Sequence, residues 1–161
     1  TPLIRRVMTV TGDAIKNPGN FLVYIGTNHQ ELLEAAGGFT AAPQKVISGG
    51  PMMGTALFTM DLPITKTSAS ILAMLTDAVA LHDTTACIHC GRCVKVCAEL
   101  LIPQMMMEYS ENNMPEEYEK IGGMECIECG SCSYVCPAKR PLTQSFKFTK
   151  RQITAKRRKQ N

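Results

Sequence analysis

Two stretches decide how this chain is read. They are Cys87-Ile-His-Cys90-Gly-Arg-Cys93-Val-Lys-Val-Cys97 and Cys126-Ile-Glu-Cys129-Gly-Ser-Cys132-Ser-Tyr-Val-Cys136-Pro137. The second follows the first at an offset of 39 residues, and seven of eleven aligned positions are identical. Between them they hold all eight cysteines, and the first 86 residues hold none. A disulfide framework does not crowd its half-cystines in this way. The spacing C-x2-C-x2-C-x3-C is that of bacterial two-cluster ferredoxins. A tight loop with a thiolate at every third residue wraps three corners of an iron–sulfur cube, with its backbone N–H groups turned toward the sulfurs. Gly91 and Gly130 suit such a loop, since glycine tolerates backbone angles that other residues avoid.

The fourth cysteine of each motif lies one turn further on and ligates the other cluster in proteins of this pattern. The expected ligands are therefore Cys87, Cys90, Cys93 and Cys136 for one [4Fe–4S] cluster. Cys126, Cys129, Cys132 and Cys97 are those for the other. The bland alternative is structural zinc, which favours paired C-x2-C knuckles with a longer spacer and fits this crowding poorly. His89 lies inside the first loop, but Glu128 fills the same place in the second, so a spacer with its ring outward is expected. His29 and His82 have no partner motif and read as surface residues.

The flanks point to helices. Ala98 to Ile102 reads as a helix interrupted by Pro103. Met105 to Tyr109 and Pro115 to Ile121 are helical in pattern, with Pro115 suited to a first turn and Gly122-Gly123 as a stop. After Pro141, the residues Leu142, Phe146, Thr149 and Ile153 recur near helical spacing, which predicts a C-terminal helix with one apolar stripe. A helical insert between the motifs favours an α-helical ferredoxin arrangement.

The cysteine-free part has another character. Leu3 to Thr11 and Phe21 to Ile25 read as strands around turn signals at Gly12-Asp13 and Asn17 to Asn20. Thr27 or Asn28 can cap a helix that runs through Ala36 and ends at Gly37-Gly38. Lys45 to Ser48 and Thr55 to Thr59 are further strands. Hairpin, helix and strands in that order suit a small α+β roll of the β-grasp kind. Ile71 to Leu75 reads equally as a strand or a buried helical turn. Ser48 to Gly54, Ser-Gly-Gly-Pro-Met-Met-Gly, is neither a phosphate-binding loop nor a dinucleotide fingerprint. It is either a tight turn or a contact surface. The ten methionines read as core filler.

Composition bounds the rest. The chain has 161 residues, 45% of them hydrophobic and 19% charged, enough for one ordinary domain or two small ones. Trp is absent and aromatics are 6%, which leaves little for stacking nucleic-acid bases. The longest apolar stretch, Ile71 to Leu81, is shorter than the ~20 residues a membrane-spanning helix needs. No charged-then-apolar leader marks secretion. The first residue is Thr, as in a piece of a longer polypeptide. Nine of the 17 Lys and Arg follow Glu128, and none of the 14 Asp and Glu do. That leaves eight basic against 14 acidic residues up to Glu128, so the net charge of +3 belongs to the tail.

Two features together carry a resemblance. Val46-Ile-Ser-Gly-Gly-Pro-Met-Met-Gly54, followed by Leu62-Pro-Ile-Thr-Lys66, precedes a doubled cysteine motif that ends Tyr134-Val-Cys-Pro-Ala-Lys-Arg-Pro141. This resembles the C-terminal part of RnfC subunits of the Rnf electron-transport complex, over nearly the whole chain. Ala98, where Pro is expected, is a minor departure. The resemblance implies an α+β chain. It would have an SLBB β-grasp domain over 1–62, a connector over 63–82, a two-[4Fe–4S] ferredoxin domain over 83–145 and a basic helix or tail over 146–161. It also implies a peripheral, cytoplasm-facing member of a complex that couples electron transfer between ferredoxin and NAD to ion movement. Partners would be the other Rnf subunits and ferredoxin or flavin carriers, with membrane association through the complex alone and no nucleic acid. FMN and NADH would belong to an upstream domain that nothing here matches.

The function that follows is an electron relay, with no residue needed as acid, base or nucleophile. Cobalamin reductases of propanediol utilisation resemble the same region and are an alternative. A docking module with structural clusters is another. The basic tail suggests a solvated helix end, or a docking face for acidic ferredoxin or membrane subunits.

Overall fold

Arg5 to Thr11 alternates its side chains between two environments, as a half-buried strand must. Met8 and Val10 are fully buried, while Val7 is exposed. This is strand β1 (Arg5–Thr11) of a computed structural model that describes residues 2–160. The described chain falls into two units, one ending at Leu81 and one starting at His82.

The first unit is a five-stranded mixed sheet. Its strands are β1, β2 (Gly19–Tyr24), β3 (Lys45–Ser48), β4 (Thr55–Leu57) and β5 (Ser70–Met74), in the spatial order β2-β1-β5-β3-β4. The only parallel pair is β1 with β5, and the other neighbours are antiparallel. Helix α1 (His29–Ala35) starts at Asn28, whose side chain accepts from the Gln30 N–H at 2.8 Å. This satisfies one of the helix's free donors. Leu32 and Leu33 of α1 pack with Met8, Val10, Ile71 and Ala73 of the sheet. Each such side chain, fully buried, contributes about 1.5–3 kcal/mol. The sheet grips one helix, the α+β roll expected.

Ile71 to Leu75 resolves as a strand in the middle of the sheet, within the stretch 63–82 expected as a connector. Its neighbours explain this. β1 and β3 both offer free edges to it, and Ile71 and Ala73 alternate into the core. Gly12 follows β1 with φ 121°, and a Cβ there would stand 1.8 Å from the Ala73 carbonyl oxygen. The backbones of the parallel pair thus approach too closely for any other residue. The Gly-Pro-Met stretch closes the β3–β4 hairpin, with Gly54 donating to the Gly50 carbonyl at 2.8 Å. Met52 and Met53 at its tip are exposed, against the expectation that the methionines fill cores. His29 differs too. It is buried, with Nδ1 2.7 Å from the Leu62 carbonyl oxygen. Its place at the first turn of α1, under the Leu62 strap, takes it out of solvent.

The second unit is helical. It contains α2 (Arg92–Lys95), α3 (Pro103–Glu111), α4 (Pro115–Lys120), a 3-10 turn at Gly123–Glu125, α5 (Ser131–Tyr134) and α6 (Leu142–Gln160). Helix α6 lies against α3. The core joins Met106, Met107, Tyr118, Leu142, Phe146 and Ile153, with the Tyr118 and Phe146 ring centroids 6.2 Å apart. The expected stripe of α6, Leu142, Phe146, Thr149 and Ile153, is buried throughout. The expected helix over Ala98 to Ile102 is absent. Ala98 and Glu99 form a turn, and Leu100 takes φ 54°. Pro103 does not end a helix but opens α3, where its missing N–H costs nothing.

Candidate metal centre

The two cysteine motifs fold alike. In each, the residue before the second cysteine is left-handed, His89 with φ 53° and Glu128 with φ 57°. In each the glycine after that cysteine is left-handed too, Gly91 at 71° and Gly130 at 84°. The turn lets the His89 N–H donate to the Cys87 sulfur and the Glu128 N–H to the Cys126 sulfur, both at 3.4 Å. A left-handed non-glycine residue costs about 1–2 kcal/mol. Both loops carry that strain at the same place. A four-residue helix follows, α2 or α5, and carries the third cysteine. A turn then carries the fourth, after which Leu100 and Lys139 are again left-handed.

The equivalence outruns the cysteines. Pro103 opens α3 and Leu142 opens α6 at the same offset of 39 residues that separates the motifs. Loop, short helix, turn and long helix therefore occur twice. Sequence reading found the repeat only over the eleven-residue motifs, because the flanks share too few side chains.

The fold gathers the cysteines into two sets. A cavity of about 280 Å³ is lined by Cys87, Cys90 and Cys93 of the first motif and Cys136 of the second. A narrower one, about 20 Å³, is lined by Cys126, Cys129 and Cys132 of the second motif and Cys97 of the first. The Leu101 N–H donates to the Cys97 sulfur at 3.4 Å. Among the described residues, no three Cys, His, Asp or Glu side chains converge on a single metal-ion position. The sulfurs ring open space instead. All-thiol rings with N–H donors turned to sulfur are the donor set of a polynuclear iron–sulfur group rather than of one zinc ion. The first ring has room as it stands. The second would widen by turning its thiols about χ1.

Surroundings set the two rings apart. Beside the first, the Gln104 side-chain amide lies 2.7 Å from His89 Nδ1, and His89 is exposed. Beside the second, the Lys150 ammonium donates to the Cys126 carbonyl at 2.7 Å and pairs with Glu128 at 3.3 Å. Sequence reading passed over Lys150, whose i+22 separation from Glu128 carries no local pattern. Thr143, also missed, is buried with its hydroxyl 2.8 Å from Ser133 Oγ and 3.9 Å from the Cys132 sulfur. Burial pushes the thiols of Cys93, Cys126 and Cys132 above their ordinary value. The Ser131 side chain and N–H hold Cys129 below it. Ligation removes these protons, so metal uptake by the raised thiols is pH-dependent. Tyr118 is fully buried and its hydroxyl has no partner, with Cys126 and Cys132 close enough to raise its pKa further after burial has done so. His82 is exposed and stands apart from both rings.

Comparison with known proteins matches this geometry. The SLBB domain family matches residues 7–56, and the 4Fe-4S dicluster domain family matches residues 80–137. The RnfC-type subunit of the Na(+)-translocating ferredoxin:NAD(+) oxidoreductase complex of Acetobacterium woodii is 48% identical over 160 residues, 99% of this chain and 36% of the relative. The chain belongs to the RnfC-like subunits. Its proton-translocating counterpart from Clostridium ljungdahlii is 42% identical over 96% of the chain and 34% of its own length. The RnfC-type subunit of the ion-translocating oxidoreductase complex of Rhodobacter capsulatus is 39% identical over 95% of the chain and 30% of its own. The chain thus spans about a third of the length of these RnfC relatives. Eight cysteines in two groups within a dicluster domain are consistent with two [4Fe–4S] clusters. No helix of the described residues is long and apolar enough to cross a membrane.

Proposed function

We propose that this chain is the electron-relay part of an RnfC subunit, with its ligands shared crosswise between the motifs. Cys87, Cys90, Cys93 and Cys136 would hold one cluster, and Cys126, Cys129, Cys132 and Cys97 the other. The observation that carries the proposal is the composition of the two cavities. Each is lined by three cysteines of one motif and the fourth of the other. Bound there, [4Fe–4S] clusters supply one-electron transfer.

The chain's own residues do the positioning. The N–H groups of His89, Glu128 and Leu101 donate to ligand sulfurs and so stabilise added negative charge. Crossed ligation ties Cys97 and Cys136 each to the opposite loop, which fixes the spacing of the two sites. Met106, Phe146 and Leu101 close the second ring to water. Lys150 places a positive charge beside it. The partners of the reading are the other Rnf subunits and ferredoxin or flavin carriers, with the chain peripheral on the cytoplasmic face. Nicotinamide chemistry would belong to the remainder of the subunit.

Paired alanine substitutions test the crossing. The chain loaded anaerobically should carry about eight irons and two interacting paramagnets when reduced. Under crossed ligation, Cys87→Ala with Cys136→Ala strikes one cluster only and should leave about half the iron. Cys87→Ala with Cys97→Ala strikes both and should leave almost none. The reverse result would mean that each motif holds its own cluster. One or two zinc ions and no EPR signal would sink the relay altogether.

A further inference from the structure

The second ring has a charged neighbour that the relay does not use. A broad groove of about 600 Å³ runs along α6 and ends at the second cysteine loop. Its walls include Lys147, Lys150, Arg151, Arg158 and Lys159, with Glu128 of the loop as the single carboxylate. Residues 147, 151 and 158 fall at i, i+4 and i+11, which puts them on one face of the helix. Thr154 and Ala155 lie between the cations and keep the floor shallow.

Two ordinary explanations cover only part of this face. Cations in the last turn of a helix are favoured by its dipole, which accounts for Arg157, Arg158 and Lys159. Lys147 and Arg151 lie two or more turns earlier, beyond the reach of that effect. Internal pairing explains Lys150, through Glu128, and Arg157, through Glu119. Arg151, Arg158 and Lys159 are exposed and have no acidic partner among the described residues. Glu128, being held by Lys150, does not offset them. The residues up to Glu128 are acidic in balance, so this positive field is a local contrast and not a property of the whole chain.

We propose that this basic face of α6 docks an acidic electron-carrier protein and makes the second ring the site of electron exchange with it. The inference rests on the relay reading, since it needs a cluster at Cys126, Cys129, Cys132 and Cys97. Position argues for a redox partner over a lipid surface or a nucleic acid. The groove ends on the loop that would hold the cluster, and half-exposed Ile127, next to Cys126, offers an apolar contact at its rim. Positive charge around a small apolar spot suits a brief encounter. It steers an acidic partner in, and interfaces of this class are small enough to let go.

The test uses the whole chain loaded anaerobically with iron and sulfide. Its re-oxidation or reduction by a bacterial two-[4Fe–4S] ferredoxin of net negative charge is followed by stopped flow. A small uncharged mediator serves as control. With the ferredoxin, the rate should fall at least about tenfold as salt rises from about 50 to 300 mM, because the steering is screened. Arg151→Glu with Arg158→Glu should lower the low-salt rate by about tenfold and flatten the salt dependence. Arg151→Lys with Arg158→Lys should restore both. The mediator should act on all variants alike. An unchanged ferredoxin rate in the Glu variant overturns the proposal. So does a Glu variant that loses only its binding to phosphatidylglycerol vesicles, or only its binding to single-stranded DNA, with the ferredoxin rate intact. If neither the ferredoxin nor the mediator moves electrons to the unsubstituted chain, the relay reading itself has failed, and this proposal with it.

Discussion

The two cysteine loops share a backbone but not a setting. His89 and Glu128, Gly91 and Gly130, and Leu100 and Lys139 repeat the same left-handed turns at the same offset. Around the first loop, Cys90 and Ile88 are exposed and the ring encloses about 280 Å³. Around the second, Cys132 is buried and the ring closes to about 20 Å³ under Phe146 and Thr143. A repeated motif therefore dictates how thiolates are presented. Packing, supplied by elements outside the motif, dictates how dry and how charged each ring is. Burial and local charge are what tune an iron–sulfur potential, so two rings with one ligand pattern acquire different properties.

The packing half of this contrast is the easiest to break. Phe146 is 1% exposed, touches Tyr118 and lines the second ring. Phe146→Ala should destabilise the second unit by about 3–5 kcal/mol, from lost burial and the cavity left behind. Ile88, in the first loop, is 65% exposed, and Ile88→Ala should stay within about 0.5 kcal/mol. Thermal unfolding of the loaded chain, followed with its iron content, compares the two. Equal costs would mean that the second ring is no better packed than the first.

A finer probe is Thr143. Its hydroxyl meets Ser133 Oγ, and the Thr143 N–H donates to the same oxygen at 2.9 Å. Thr143→Val keeps the volume but leaves the buried Ser133 hydroxyl one partner short. The expected cost is about 1–2 kcal/mol, with earlier loss of iron from the second ring. No loss would show that Thr143 supplies only volume. The first loop has no counterpart to test, since Val94 and Gln104 occupy the places of Ser133 and Thr143.

How much of this was legible in sequence follows from what each feature depends on. The ligand spacing is local chemistry, and so the eight thiols and their two groups could be read directly. The sheet's outer strands could be read too, because Val, Ile and Phe alternate there without help from distant residues. Ile71 to Leu75 could not, since a strand buried on both sides loses the alternation that marks it. Ala98 to Ile102 misled because good helix formers were placed where the fourth cysteine demands a turn, and Leu100 accepts a left-handed angle that its side chain does not favour. His29 looked like a surface residue because its burial comes from Leu62, 33 residues away. The doubled helices α3 and α6 are one backbone plan written in unrelated side chains. Only the coordinates reveal that Pro103 and Leu142 stand in equivalent places.

The smallest effect expected is a ranking of thiols in the iron-free, reduced chain. The thiolate is the species that reacts, so both exposure and pKa set the rate. Cys90 is exposed, and Cys129 is held below the ordinary thiol value by Ser131. Cys132 is buried and raised, and Cys93 and Cys126 are raised by the same cause. At neutral pH, iodoacetamide should label Cys90 and Cys129 first and Cys132 last, as read by peptide mass spectrometry over time. The sign of the pH effect is fixed by the direction of each shift. Raising the pH from about 7 to about 9.5 converts the raised thiols later than Cys129, so their labelling should accelerate more over that range. What remains of the lag of Cys132 at high pH is then steric, and it measures how far the second ring stays closed without metal. If Cys132 reacts as fast as Cys90 at every pH, the closure of the second ring is a consequence of loading and not of the fold.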